Sequence, residues 1–164
     1  MRLSRSAVPT IAIIGAAQCT DQIYALAKET GFLCAKAGYA VVCGGLGGVM
    51  QGASEGASEA HGIAIGILPG SDPQQANPYI SIVVPTGMSH ARNALVVQTG
   101  LAVIAIAGGT GTLSEMALAL KMGKPVISLH SWTPTPDVHV VHTPLAAVEL
   151  ADQSIRSCWE IPHG

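Results

Sequence analysis

LAVIAIAGGTGTLSE, Leu101 to Glu115, decides how the rest of the chain is read. LAVIAI is the length and composition of a buried strand. AGGTGT then turns, and TLSEMALALKMG carries helical spacing until Gly123 stops it. Strand, glycine turn and helix form the repeating unit of a parallel sheet. The turn also poses a question of chemistry. Three glycines, two threonines and a glutamate at the mouth of a buried strand make either a tight, well-capped turn or a seat for an anion.

The same unit recurs on both sides. IAIIG (11–15) reads as a strand and residues 21–37 as a helix, with Ile23, Leu26, Ala27, Thr30 and Leu33/Cys34 at helical spacing. YAVVC (39–43) is a second strand, and GGLGG leads into a helix through Ala60. GIAIGIL (62–68) and ISIVV (80–84) follow as strands, with a proline-punctuated loop between them, and SHARNALVVQT is a helix. Beyond the opening stretch come KPVISL (124–129), a short edge strand VHVV (138–141) and a final helix, TPLAAVELADQSI. The tail from Asp152 to Gly164 is expected to fray. Near-continuous Val/Ile runs alternating with helices predict a doubly wound, Rossmann-like α/β fold, its mainly parallel sheet covered on both faces. No linker splits the chain, so residues 1–164 read as one ligand-binding domain.

Composition narrows the function. The 164 residues are 49% hydrophobic and only 11% charged, which predicts a surface partly buried in a homo-oligomer, dimer or tetramer. A net charge of −2 without a basic run argues against nucleic acid as a partner. Cys19, Cys34, Cys43 and Cys158 lack metal-ligand spacing and read as free thiols in the core, in a reducing compartment. No metal site is expected. The longest apolar stretch is broken by Gln98, Thr99 and Gly100, and MRLSRSAVPT has no h-region after it, so a soluble, cytoplasmic protein without a membrane partner is expected.

In such a sheet the carboxyl ends of all strands open on one edge, where ligands bind. GAAQCTD (with Gly15), GGLGG (Gly44, Gly45, Gly47, Gly48), PGSDP, PTGMSHAR and AGGTGT (Gly108, Gly109, Thr110, Gly111, Thr112) all fall there. Helix N-termini and glycine backbones at that edge favour a phosphate. Neither a Walker motif nor a dinucleotide fingerprint is present, so no ATP, NAD or other resident cofactor is expected. Glu115 has two readings: Thr112-x-x-Glu115 matches a capping box, and the same carboxylate can face the crevice. Arg92, a cation in a first helical turn, is electrostatically odd unless an anion lies near it. His90 and Asp72 are weaker candidates. For a ring-bearing ligand, Tyr24, Tyr79 and Trp132 are the aromatic candidates.

GGLGGVMQGASEGA, the S-x-x-R helix start and AGGTGTLSEMALAL together resemble the group long labelled "possible lysine decarboxylase". That group includes the Lonely Guy phosphoribohydrolases and the molybdenum-cofactor carrier proteins. The resemblance spans residues 11–129 and implies a nucleotide-like ligand whose phosphate lies on Gly108 to Thr112. In the phosphoribohydrolase branch it further implies that Glu115 and Arg92 are catalytic, cleaving the N-glycosidic bond of a nucleoside 5′-monophosphate. This chain departs from that branch's PGGxGTxxE loop and Arg-Lys pair at Ala107 and Asn93, and is closer to the carrier side. Whether it is an enzyme therefore stays open, with non-catalytic molybdopterin carriage as the alternative and a bare scaffold as a third reading. A pyridoxal-phosphate decarboxylase is rejected, because Lys28, Lys36, Lys121 and Lys124 all read as lying away from the ligand edge.

Overall fold

The computed structural model describes Leu3 and residues 7–160. Seven strands are β1 (Thr10–Gly15), β2 (Ala40–Cys43), β3 (Ala64–Leu68), β4 (Ile82–Pro85), β5 (Ala102–Ile106), β6 (Val126–Leu129) and β7 (His139–Val141). Five helices are α1 (Asp21–Lys36), α2 (Val49–Glu59), α3 (Arg92–Thr99), α4 (Thr110–Lys121) and α5 (Pro144–Cys158). One sheet holds all seven strands in the order β4-β3-β2-β1-β5-β6-β7, and every neighbouring pair is parallel. The fold is therefore the Rossmann-like α/β architecture expected.

The inner strands β1, β2, β3, β5 and β6 are almost wholly apolar because both faces are covered, whereas the edge strands β4 and β7 are largely exposed. Ile11, Ile13, Ile104 and Ile106 face α1, α2 and α5, whereas Ala12, Ile14, Val103 and Ala105 face α3 and α4. Strand order reverses between β1 and β5, so the loops leaving these two strands diverge and leave a crevice at their carboxyl ends.

Local boundaries differ from expectation in instructive places. Helix α4 starts at Thr110, two residues early, because Gly109 accepts its first backbone bond through Leu113 N–H at 3.1 Å. Thr112 and Glu115 thus sit inside the helix and form no capping box. Strand β4 ends on Pro85, which an edge strand tolerates because its outer N–H positions have no partner strand. Helix α5 continues to Cys158, so residues 152–158 do not fray; Arg156 pairs with Asp152 one turn before it. Residues 161–164 lie outside the described part. Cys34 and Cys43 are core thiols as expected, but Cys158 is exposed and Cys19 half-buried. Among the described residues no helix is long and apolar enough to cross a membrane.

Candidate functional site

A cavity of about 360 Å³ opens where β1 and β5 end. Ile14 to Ala17 line one side, Gly44 and Met50 the back, His90, Arg92 and Asn93 another side, and Gly109 to Thr112 with Glu115 the remainder. The topology thus gathers Gly15, Gly44, Arg92, Gly109, Thr110, Gly111, Thr112 and Glu115 into one pocket, with His90 beside them. Gly45, Gly47, Gly48 and Gly108 stand behind it. Gly48 N-caps α2, its φ of 61° lies in the left-handed region, and a Cβ there would fall 2.3 Å from the Ala16 carbonyl oxygen. The GGLGG loop is therefore packed against the β1 loop, and Val49 N–H already donates to Ala16 O at 3.0 Å.

Helix capping separates the site from the rest of the molecule. Thr20 caps α1 and Thr143 caps α5, each hydroxyl accepting from a first-turn amide. Helices α2, α3 and α4, which border the pocket, have no side-chain cap. At α4 the Thr110, Gly111 and Thr112 amides have no acceptor among the described residues, and they project the positive end of the helix dipole into the cavity. A Cβ at Gly109 or Gly111 would meet nothing within 4 Å, so neither glycine is demanded by protein packing. Space on that side is left for something other than this chain.

Arg92 is 8% exposed and held in place. Its Nε donates to Ile67 O at 2.9 Å, and Nη1 donates to Asn93 Oδ1. Burial lowers the guanidinium's proton affinity, which the Glu115 charge partly restores. Glu115 is also 8% exposed, and among the described residues no donor engages its carboxylate. Burial pushes its pKa up to about 7, against the opposing pull of Arg92. Near neutral pH the pocket thus holds one firm cation and one carboxyl poised between its two forms.

Asn93 was legible beforehand only as a departure from a family pattern; here it orients Arg92. Asn77, in the proline-rich loop, carried no signal at all, yet it is buried and ties Leu46 O and Gly45 O to its own loop. Of the ring-stacking candidates, none lines the cavity: Tyr24 donates to Glu55, Tyr79 contacts the same carboxylate, and Trp132 donates to Gly109 O. Asp72 caps a short turn by accepting from Gln74 N–H. The four lysines lie away from the pocket, and Lys124 at the opposite edge is tied to Gln98 O and Gly100 O.

Three comparisons bear on this geometry. A family model described as the SLOG cluster4 family matches residues 8–155. An uncharacterised protein of Archaeoglobus fulgidus is 40% identical over 144 residues, covering 88% of this chain and 95% of that one. Among solved structures, the molybdenum cofactor binding protein of the phototrophic bacterium Rippkaea orientalis superposes with a TM-score of 0.85 at 35% identity, over 90% of this chain and 98% of that one. The molybdenum cofactor carrier protein of Chlamydomonas reinhardtii superposes with a TM-score of 0.81 at 30% identity, over 92% and 99% of the two chains.

Proposed function

The chain belongs to the SLOG cluster4 family, and on that premise we propose that it is a non-catalytic carrier of a phosphate-bearing, molybdopterin-type cofactor. The observation that carries the proposal is the uncapped N-terminus of α4: Thr110, Gly111 and Thr112 offer free amides to the pocket beside a buried arginine. The phosphate sits on Gly109 to Thr112, Arg92 balances its charge, and the ring system extends toward Ala16, Ala17 and Met50. Likeness to two molybdenum-cofactor proteins supports this choice of cargo.

A second reading, hydrolysis of a nucleoside 5′-monophosphate, is favoured by Glu115 and Arg92 sharing one cavity. Two features weigh against it. Ala107 has φ 47°, a conformation closed to the proline of a PGGxGT loop, whose ring holds φ near −65°. Asn93 supplies an acceptor to Arg92 where an Arg-Lys pair would supply a second cation.

One experiment separates the two. Purified protein incubated with molybdenum cofactor retains it through gel filtration and slows its oxidation, and leaves AMP intact. Release of adenine and ribose 5-phosphate from AMP, lost in Glu115→Gln, would replace the carrier reading with the hydrolase.

The reading includes one domain over residues 1–164, residence in the cytoplasm, and self-association. From Pro73 to Ser114 the sequence holds a single charged residue, Arg92, and it is buried. That segment includes edge strand β4, α3 and the connection between them, which expose Ile82, Val84, Met88 and Leu95. An apolar edge without exposed charge meets its own two-fold copy with no like-charge repulsion.

A further inference from the structure

We infer that Trp132 and Ser131, on the connection between β6 and β7, are positioning residues for the anion loop. The inference rests on the proposed binding of an anion at α4. Trp132 Nε1 donates to Gly109 O at 3.0 Å, and Ser131 Oγ donates to Ala107 O at 2.6 Å. In a trans peptide the carbonyl and the following N–H point in opposite directions, and the described chain has no cis bond. Holding the Gly109 carbonyl from outside therefore aims the Thr110 N–H away from Trp132, off the end of α4 and into the cavity. Ser131 does the same for the next-but-one peptide, fixing Ala107 O and with it the Gly108 N–H.

The loop needs such a brace. Ala107 and Gly108 both lie in the left-handed region, with φ of 47° and 97°. Gly109 has no side chain to anchor it, and a Cβ there would find no neighbour. Gly108 and Gly109 have many accessible states, and Ala107 is held in one that an L side chain rarely adopts. Thr112 packs against Gly108 on the pocket side, and the Ala107 and Gly109 carbonyls are held from behind. Trp132 is 42% exposed, and its indole N–H has water as an alternative partner. Its bond to Gly109 is thus a choice of geometry and not a consequence of burial. Ser131 is itself fixed, its N–H donating to Ser128 Oγ at 3.2 Å at the end of β6. The brace thus runs from the sheet to the loop without touching the ligand.

The test uses inorganic phosphate, titrated calorimetrically into the full chain. Trp132→Phe keeps the ring and removes only the donor. It is expected to weaken phosphate about three- to tenfold, the range one neutral hydrogen bond supports. Amide exchange reports the mechanism: Leu113 N–H, which shares the Gly109 carbonyl, exchanges faster in the variant, while Ala119 in the middle of α4 does not change. Should Trp132→Phe melt early, Ser131→Ala decides in its place by the same two readouts. Unchanged phosphate affinity in a folded variant overturns the inference, as does faster exchange throughout α4, which marks general loosening. If the wild-type chain fails to bind phosphate or its cofactor at all, the ligand reading itself falls and the brace falls with it; that result is read before any variant is made.

Discussion

The guanidinium of Arg92 occupies the space a side chain at position 44 would need: a Cβ on Gly44 would fall 2.7 Å from Arg92 Nη2 and 2.7 Å from Met50 Sδ. The back wall of the pocket is thus set by an absent methyl group. Making room for that methyl shifts the buried, hydrogen-bonded guanidinium and the Met50 sulfur, so Gly44→Ala costs about 1–3 kcal/mol. The displaced guanidinium no longer faces the anion. Phosphate affinity should fall about tenfold and the melting temperature by several degrees; calorimetric titration and a melting curve check both halves.

Gly109 gives the complementary case. Its φ of −103° suits any residue, and a Cβ would meet open space. Gly109→Ala should leave stability equal or raise it by about 0.4–1 kcal/mol through the unfolded state. Gly109→Asp should fold as well but bind no phosphate, because a carboxylate then sits at the helix end. Loss of folding in either variant would mean that the loop is packed more tightly than described.

Glu115 makes stability depend on pH. Its pKa rises from 4.5 to about 7 on folding, so the folded chain holds a proton that the unfolded chain releases. The resulting stabilisation is present in full below pH 4.5, declines as pH rises through 7 and is absent above, a change of up to about 3 kcal/mol. Glu115→Gln should be more stable than wild type at pH 8, and the advantage should vanish toward pH 4.5. Urea unfolding of both proteins across that range measures it. Sulfate, fully ionised throughout, should bind the wild type more weakly at pH 8 than at pH 6, and this difference should shrink in Glu115→Gln.

Val84 and Ile82 on β4 are 39% and 48% exposed, on a strand with no outer partner. Val84→Lys places a charge on that edge. Sedimentation velocity should show an oligomer for the wild type and a monomer for the variant, with phosphate binding retained.

The inner strands were legible because burial on both faces forces Val/Ile runs, and three-residue β7 announced itself by its β-branched residues although it is largely exposed. The ligand edge was legible for the same topological reason, since parallel strands deliver all their loops to one side. The start of α4 was not. Thr112-x-x-Glu115 has the spacing of a cap, but Gly109 and Gly111 let the helix begin earlier, and the two residues then fall, buried, in its first and second turns. Asn77 was hidden because its role depends on a partner distant in sequence, the Leu46 loop, and Asn93 because nothing in the sequence shows that its side chain turns back onto the neighbouring Arg92 head group. GGLGG and GGTGT look alike in the sequence. Only the packing of Gly48 on Ala16 separates a loop closed by protein from one open to solvent.

The uncapped helices have a consequence for the protein's lifetime. Amides left without partners are a standing cost to the empty chain, relieved when an anion arrives, so occupancy and folding are linked. Cargo at a hundred times its dissociation constant adds about 2.7 kcal/mol to the fold. Under the proposed carrier function, loaded copies would open less often and resist proteolysis longer than vacant ones, and the protein's abundance would follow the supply of its cargo.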